Sequence, residues 1–180
     1  FIPKTGVVKG INIGVKERLY NNYLAIGYGN YASPYAELFI HKNTRFNNDF
    51  GIHTKYSASN ENIKKTILNS TFSNFNMATF FKQQERYFDW KVNLDASQNN
   101  YNWYGLSSDK TFTENTIKSI NEAQKYTHLK LKGAFSFHDS YIDFSKISVS
   151  HFTDKFNSLE TLLNFETKLD FPLDRLSANL

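Results

Sequence analysis

The strongest constraint on this chain is a period of two in its hydrophobic pattern. Phe88, Trp90, Val92, Leu94 and Ala96 alternate with Asp89, Lys91, Asn93, Asp95 and Ser97. The alternation returns in Leu129, Leu131, Gly133, Phe135 and Phe137 against Lys130, Lys132, Ala134, Ser136 and His138. It returns again in Leu163, Phe165, Thr167, Leu169 and Phe171 against Leu162, Asn164, Glu166, Lys168 and Asp170. Successive side chains of a strand point to opposite faces, so each run predicts a strand with one apolar and one polar face. Weaker alternation over 7–17, 23–31, 35–42, 50–58, 72–82 and 141–152, punctuated by Asn, Asp, Ser, Gly and Pro, brings the expectation to about nine strands. Helix signals are scarce. The best runs from Thr113 to Gln124, where Ile117, Ile120 and Ala123 fall at helical spacing behind a Thr113 cap. With no repeat and no linker, residues 1–180 read as one all-β domain.

Alternation alone leaves two architectures open. In a soluble sandwich or barrel the apolar face turns inward; in an outer-membrane barrel it turns to lipid and the polar face lines the lumen. No stretch approaches the roughly 18 unbroken apolar residues of a membrane helix, a test that strands of about ten alternating residues escape. Connection lengths favour the membrane form. The turns near Asn21, Phe46, Gln84 and Asp139 are short, whereas about 59–70 and 98–122 are long and fall at the opposite end, as outer loops do. The short turn Tyr31-Ala32-Ser33-Pro34 is the exception. Tyr87, Trp103, Tyr104, Tyr126, Tyr141 and Phe171 gather toward strand ends, where an aromatic girdle would sit, although aromatics favour strands in general. Bacterial single-chain barrels have even strand numbers. An odd count, a first residue Phe1, and a turn-like Phe171-Pro172-Leu173-Asp174-Arg175 near the end therefore predict an incomplete arc of an antiparallel up-and-down transmembrane β-barrel, with further strands upstream and downstream.

The run Gly27-Tyr28-Gly29-Asn30-Tyr31-Ala32-Ser33-Pro34-Tyr35-Ala36-Glu37 leads into Phe50-Gly51-Ile52-His53-Thr54-Lys55-Tyr56-Ser57. Trp90 to Leu94 is followed by Asn100-Tyr101-Asn102-Trp103-Tyr104-Gly105. Over roughly residues 5–105 this resembles the barrel region of Bacteroidota outer-membrane proteins of the porin and TonB-dependent-receptor-like type. The resemblance implies an outer-membrane location and a passive or energised transport role. It carries over no substrate-contacting residue, and no plug-like or TonB-box-like segment accompanies it.

Chemistry of the catalytic kind finds little support. The chain has no cysteine, which removes disulfides, thiolate zinc sites and thiol catalysis. No nucleophile elbow, zincin helix, Walker loop or dinucleotide fingerprint occurs. Gly27-Tyr28-Gly29 lies inside a strand pattern and reads as close packing between strands. His138-Asp139-Ser140 holds the residue types of a hydrolase triad, but consecutive residues of a tight turn cannot face one another, so it reads as a hairpin. His41 and His53 fall on adjacent strands without a carboxylate at convincing spacing, and no metal or other cofactor is expected. A net charge of +4 invites nucleic acid, yet the lysines and rings fall on opposite faces of their strands, against a stacking platform. Lys64-Lys65 in the first long loop suits anionic lipopolysaccharide or plain solvation. Asn69-Ser70-Thr71 matches a glycosylation acceptor, a pattern common by chance.

What remains is the polar face. Asp89, Lys91, Asp95, Lys130, Lys132, Glu166, Lys168 and Asp170 project to one side and would line a lumen, where mixed charges set the field felt by a passing solute. The expectation is a non-enzymatic outer-membrane barrel protein: a porin-like channel, a receptor-like transporter, or the barrel subunit of an envelope complex. Its partners would be outer-membrane lipids, lipopolysaccharide and other envelope proteins or lipoproteins. The alternative is a soluble β-sandwich or barrel that binds carbohydrate or lipid with its rings inside.

Overall fold

A computed structural model describes residues 20–44, 47–107, 110–173 and 176–178, with side chains as far as Asp170. The elements in order are β1 (Asn22–Gly29), β2 (Ser33–Thr44), β3 (Asn48–Ser59), β4 (Phe72–Gln84), β5 (Phe88–Asn102), α1 (Glu114–Ser119), β6 (Ala123–Phe137), β7 (Ile142–Asp154), β8 (Leu159–Leu169), β9 (Phe171–Leu173) and β10 (Leu176–Ala178). β1 to β8 form one antiparallel sheet in simple sequence order, and β9 and β10 form a separate two-stranded ribbon. Each strand thus follows its neighbour through a hairpin connection, an up-and-down meander. The expected strand at 7–17 lies outside the described residues. Among the described residues β1 pairs with β2 alone and β8 with β7 alone, so the sheet is open at both edges rather than closed into a cylinder.

Register explains the alternation. Residues directly opposite each other share a face. The row Ile40, Ile52, Thr79, Leu94, Leu131, Val149 and Leu163 runs across seven strands on one side. The next row, Phe39, His53, Ala78, Asp95, Lys130, Ser150 and Leu162, runs on the other. The sequence dyads are therefore the two faces of one sheet, apolar and polar. β2 to β7 are 12 to 15 residues long, roughly 40–50 Å at about 3.3 Å per residue.

Almost nothing is buried. Among the described residues the buried apolar side chains are Ala58 and Leu68, while Leu131 is 48% exposed, Ile147 46% and Phe165 68%. Among the described residues no second layer of elements packs over either face of this sheet.

The two ends differ as their connections do. β2–β3, β4–β5 and β6–β7 turn within a few residues at one end, whereas 60–71 and 103–122 lie at the other, beside the short turns at 30–32 and 155–158. The expected helix is shorter than its pattern. α1 has Thr113 as its N-cap, with Oγ1 accepting from Thr116 N–H at 3.4 Å, but it stops at Ser119 because Ile120 is already extended. None of its residues is buried, so packing does not extend it beyond what propensity supports.

Candidate functional site

The polar face is the chemically dense surface, and its charged groups hold one another. Lys132 Nζ lies 3.0 Å from Asp95, Lys146 3.6 Å from Glu166, and Lys168 2.7 Å from Asp143. The last contact depends on an irregularity between Ile142 and Phe144: the extra residue of a β-bulge brings Asp143 to the side that Lys168 occupies. His138 lies 3.6 Å from Asp89 across the β4–β5 and β6–β7 turns, whose backbones are also joined by His138 N–H donating to Tyr87 O at 2.9 Å.

Toward β1 the face becomes aromatic. Glu37 is the hub: its carboxylate accepts from Tyr23 O–H at 2.7 Å and from Tyr35 O–H, and its Oε1 lies 2.8 Å from His53 Nε2. His41 Nε2 is 2.6 Å from Asp49 Oδ1. Phe39 sits between these clusters, stacked on Tyr23 at 5.8 Å and on His41 at 6.3 Å. Sequence reasoning did not single out Glu37, because its partners converge only once β1, β2 and β3 are in register. His41 and His53 are thus each paired with a separate carboxylate, and among the described residues no group of three or more His, Asp or Glu side chains gathers as a metal site.

Of the side chains expected on the polar face, Asp89, Lys91, Asp95, Lys130, Lys132, Glu166 and Lys168 all share it by register. Asp170 lies just past β8 and donates its N–H to Tyr141 O at 2.8 Å. The aromatic set divides. Tyr87 and Tyr141 are exposed in the short turns, and Trp103 and Tyr104 are exposed just beyond β5. Tyr126 differs from expectation: opposite Asn99 and Asp154 it belongs to the polar face, where its ring stacks on Tyr101 at 5.7 Å and Phe152 at 5.9 Å. Phe171 begins β9, and its side chain lies outside the described ones.

The long-loop end is tied down by its own polar groups. Asn60 and Glu61 donate backbone N–H groups to Tyr31 O at 3.2 and 3.1 Å, docking the β3–β4 loop on the β1–β2 turn. Inside that loop, Ser70 Oγ accepts from Ile63 N–H at 2.7 Å and Ser70 N–H donates to Asn62 Oδ1 at 2.9 Å. Asn69 Oδ1 is engaged with Thr71 N–H. Asp154 closes the β7–β8 turn, accepting from the N–H groups of Phe156 and Ser158 at 2.8 and 2.9 Å. Desolvation opposes ionisation of its carboxyl, but the hydrogen bonds from Ser158 and Phe156 outweigh this and hold it below the usual carboxylate range. The His138-Asp139-Ser140 segment is a turn, with Asp139 at φ 52°, as its sequence implied.

No protein-family model, curated protein or solved structure matches this chain.

Proposed function

We propose that this chain is a non-enzymatic wall segment of an outer-membrane β-barrel, in which the apolar face meets lipid and the polar face lines an aqueous lumen. One observation carries the reading. Among the described residues an eight-stranded sheet leaves a contiguous apolar face uncovered, opposite a face of ion pairs and hydrogen bonds. Soluble monomers rarely expose apolar patches larger than a few hundred Å². Lipid removes the cost of that face, and a closed sheet is one of the two forms that satisfy backbone groups in a bilayer. The strands exceed the roughly 9–11 tilted residues that a crossing needs. On this reading the long connections face outward, toward lipopolysaccharide and envelope partners. The lumen side chains then select solutes by geometry and charge, as in a porin-like channel, a receptor-like transporter or the barrel of an envelope complex.

The absence of native cysteine makes the test direct. Single substitutions Leu131→Cys and Val149→Cys, in vesicles, should resist a water-soluble maleimide and accept a lipid-soluble one. Lys132→Cys and Ser148→Cys, on the opposite face, should react with the water-soluble reagent. A chain that is soluble and monomeric without detergent would sink the proposal.

A further inference from the structure

We infer that the polar face carries a binding site for a small oxyanion, a carboxylate or a phosphate, in the hollow where β5 to β8 meet. The hollow has a volume of about 300 Å³ and is lined by Lys130, Lys132, Lys146 and Glu166 with Asn93, Ser148 and Asn164. Its floor includes Ala134, whose short side chain leaves the space that longer neighbours surround. Three ammonium groups, two amides and a hydroxyl outnumber the one lining carboxylate, Glu166, which Lys146 pairs at 3.6 Å, and form a donor-rich set of the kind that holds anionic oxygens.

Charge accounting on the surrounding face supports this. The nearby carboxylates already have cationic or histidine partners: Asp95 with Lys132, Glu166 with Lys146, Asp49 with His41 and Asp89 with His138. Lys130, Lys91 and Lys82 form no ion pair among the described residues. Lys91 instead sits 5.1 Å from the centre of the Phe80 ring. Register sets two cations side by side: Lys82 and Lys91 are directly opposite each other, with Asp49 on the far side of Lys82 and Ala134, at the hollow, on the far side of Lys91. Like charges so placed destabilise a sheet. An anion in the hollow would offset that repulsion. The inference deepens the wall-segment reading by naming the solute class, but binding itself does not require a membrane.

The test is titration of the detergent-purified full chain with inorganic phosphate at low ionic strength, followed calorimetrically, with citrate as the carboxylate competitor. Binding should saturate, weaken as NaCl is added, and be displaced by citrate. The double variant Lys130→Gln/Lys132→Gln should lose affinity by roughly tenfold or more, since charge-assisted bonds are the strong ones. Lys130→Arg/Lys132→Arg should retain it. Lys168→Gln removes the same charge elsewhere on the face and should change affinity less than twofold. An unchanged far-UV circular dichroism spectrum establishes that each variant is folded. Absence of saturable binding, or equal loss in Lys168→Gln, overturns the site. The same preparations are added to vesicles of phosphatidylcholine and phosphatidylglycerol: insertion without phosphate binding rejects the anion site alone, whereas phosphate binding by a chain that stays soluble rejects the wall-segment reading alone.

Discussion

Gly51 shows how one residue's identity follows from its cross-strand partner. It is buried, pairs directly with Phe80, and has no positive φ to explain it. A Cβ there would lie 2.3 Å from Phe80 Cε1, so the ring occupies the place of a side chain. Phe80 in turn is tilted against His41 at 6.1 Å and lies under Lys91. Gly51→Ala should therefore destabilise the fold by about 1–3 kcal/mol, the range for overpacking. In urea unfolding of the detergent-folded chain, Gly51→Ala combined with Phe80→Ala should cost less than the two single changes summed, because the double change removes the clash. Additive costs would mean that the ring does not constrain Gly51. The sequence pattern draws attention instead to Gly27 and Gly29, yet a Cβ at Gly27 would meet Tyr35 at an ordinary 3.8 Å. Composition cannot distinguish these glycines, since only the register places a ring over one of them.

Among the elements, the strands were the legible part and their polar hubs were not. The dyads around Trp90, Leu131 and Phe165 identify strands and faces because a half-wet sheet imposes period two at every position. Glu37 and Ser70 escape that logic: each owes its role to partners across the fold or the loop. The β3–β4 loop is a case in point. Ser70 is 6% exposed and bonds both Ile63 N–H and Asn62 Oδ1, and Leu68 in the same loop is equally buried. Ser70→Ala removes the acceptor of the Ile63 N–H while its own backbone bond to Asn62 stays, at a cost of about 1 kcal/mol local to the loop. Limited proteolysis should then cut within 60–71 faster while the strands stay protected; an unchanged rate would show that this bond does not hold the loop. The β7–β8 turn offers a pH counterpart. The folded pKa of Asp154 is depressed, so its contribution is present above the unfolded carboxyl value and fades as pH falls through the folded one. Protection of the Phe156 and Ser158 amides against exchange, taken relative to the unstructured rate at each pH, should fall on acidification across that window, and Asp154→Asn should flatten the dependence. pH-independent protection in the parent chain would discount the carboxylate.

At the scale of the whole molecule, the apolar band runs oblique to the register rows. One row joins Ala36, Tyr56 and Phe75 to Gln98, Thr127 and Thr153, changing from mainly apolar to polar as it passes from β4 to β5. At the other border the row from Lys42 through Phe50, Phe81, Val92 and Ile147 to Phe165 changes the opposite way. The band therefore slides along the strands from β2 to β8. Strands tilted against a common plane would produce such a slide, and closing a sheet into a barrel requires a tilt of roughly 35–45°. A soluble sheet covered by a second layer has no reason to keep its apolar residues within one inclined belt. The obliquity makes a depth prediction on a single strand. Leu131, in the middle of the belt, and Thr127, on the same face of β6 beyond it, both point to the apolar side. In a bilayer Leu131→Arg should cost about 2–4 kcal/mol and Thr127→Arg about 0–1, measured by denaturant unfolding from lipid vesicles. In detergent-free buffer the order would not depend on a membrane midplane. Equal costs at the two positions would therefore remove the belt as an argument for lipid, whatever the stability of the sheet itself.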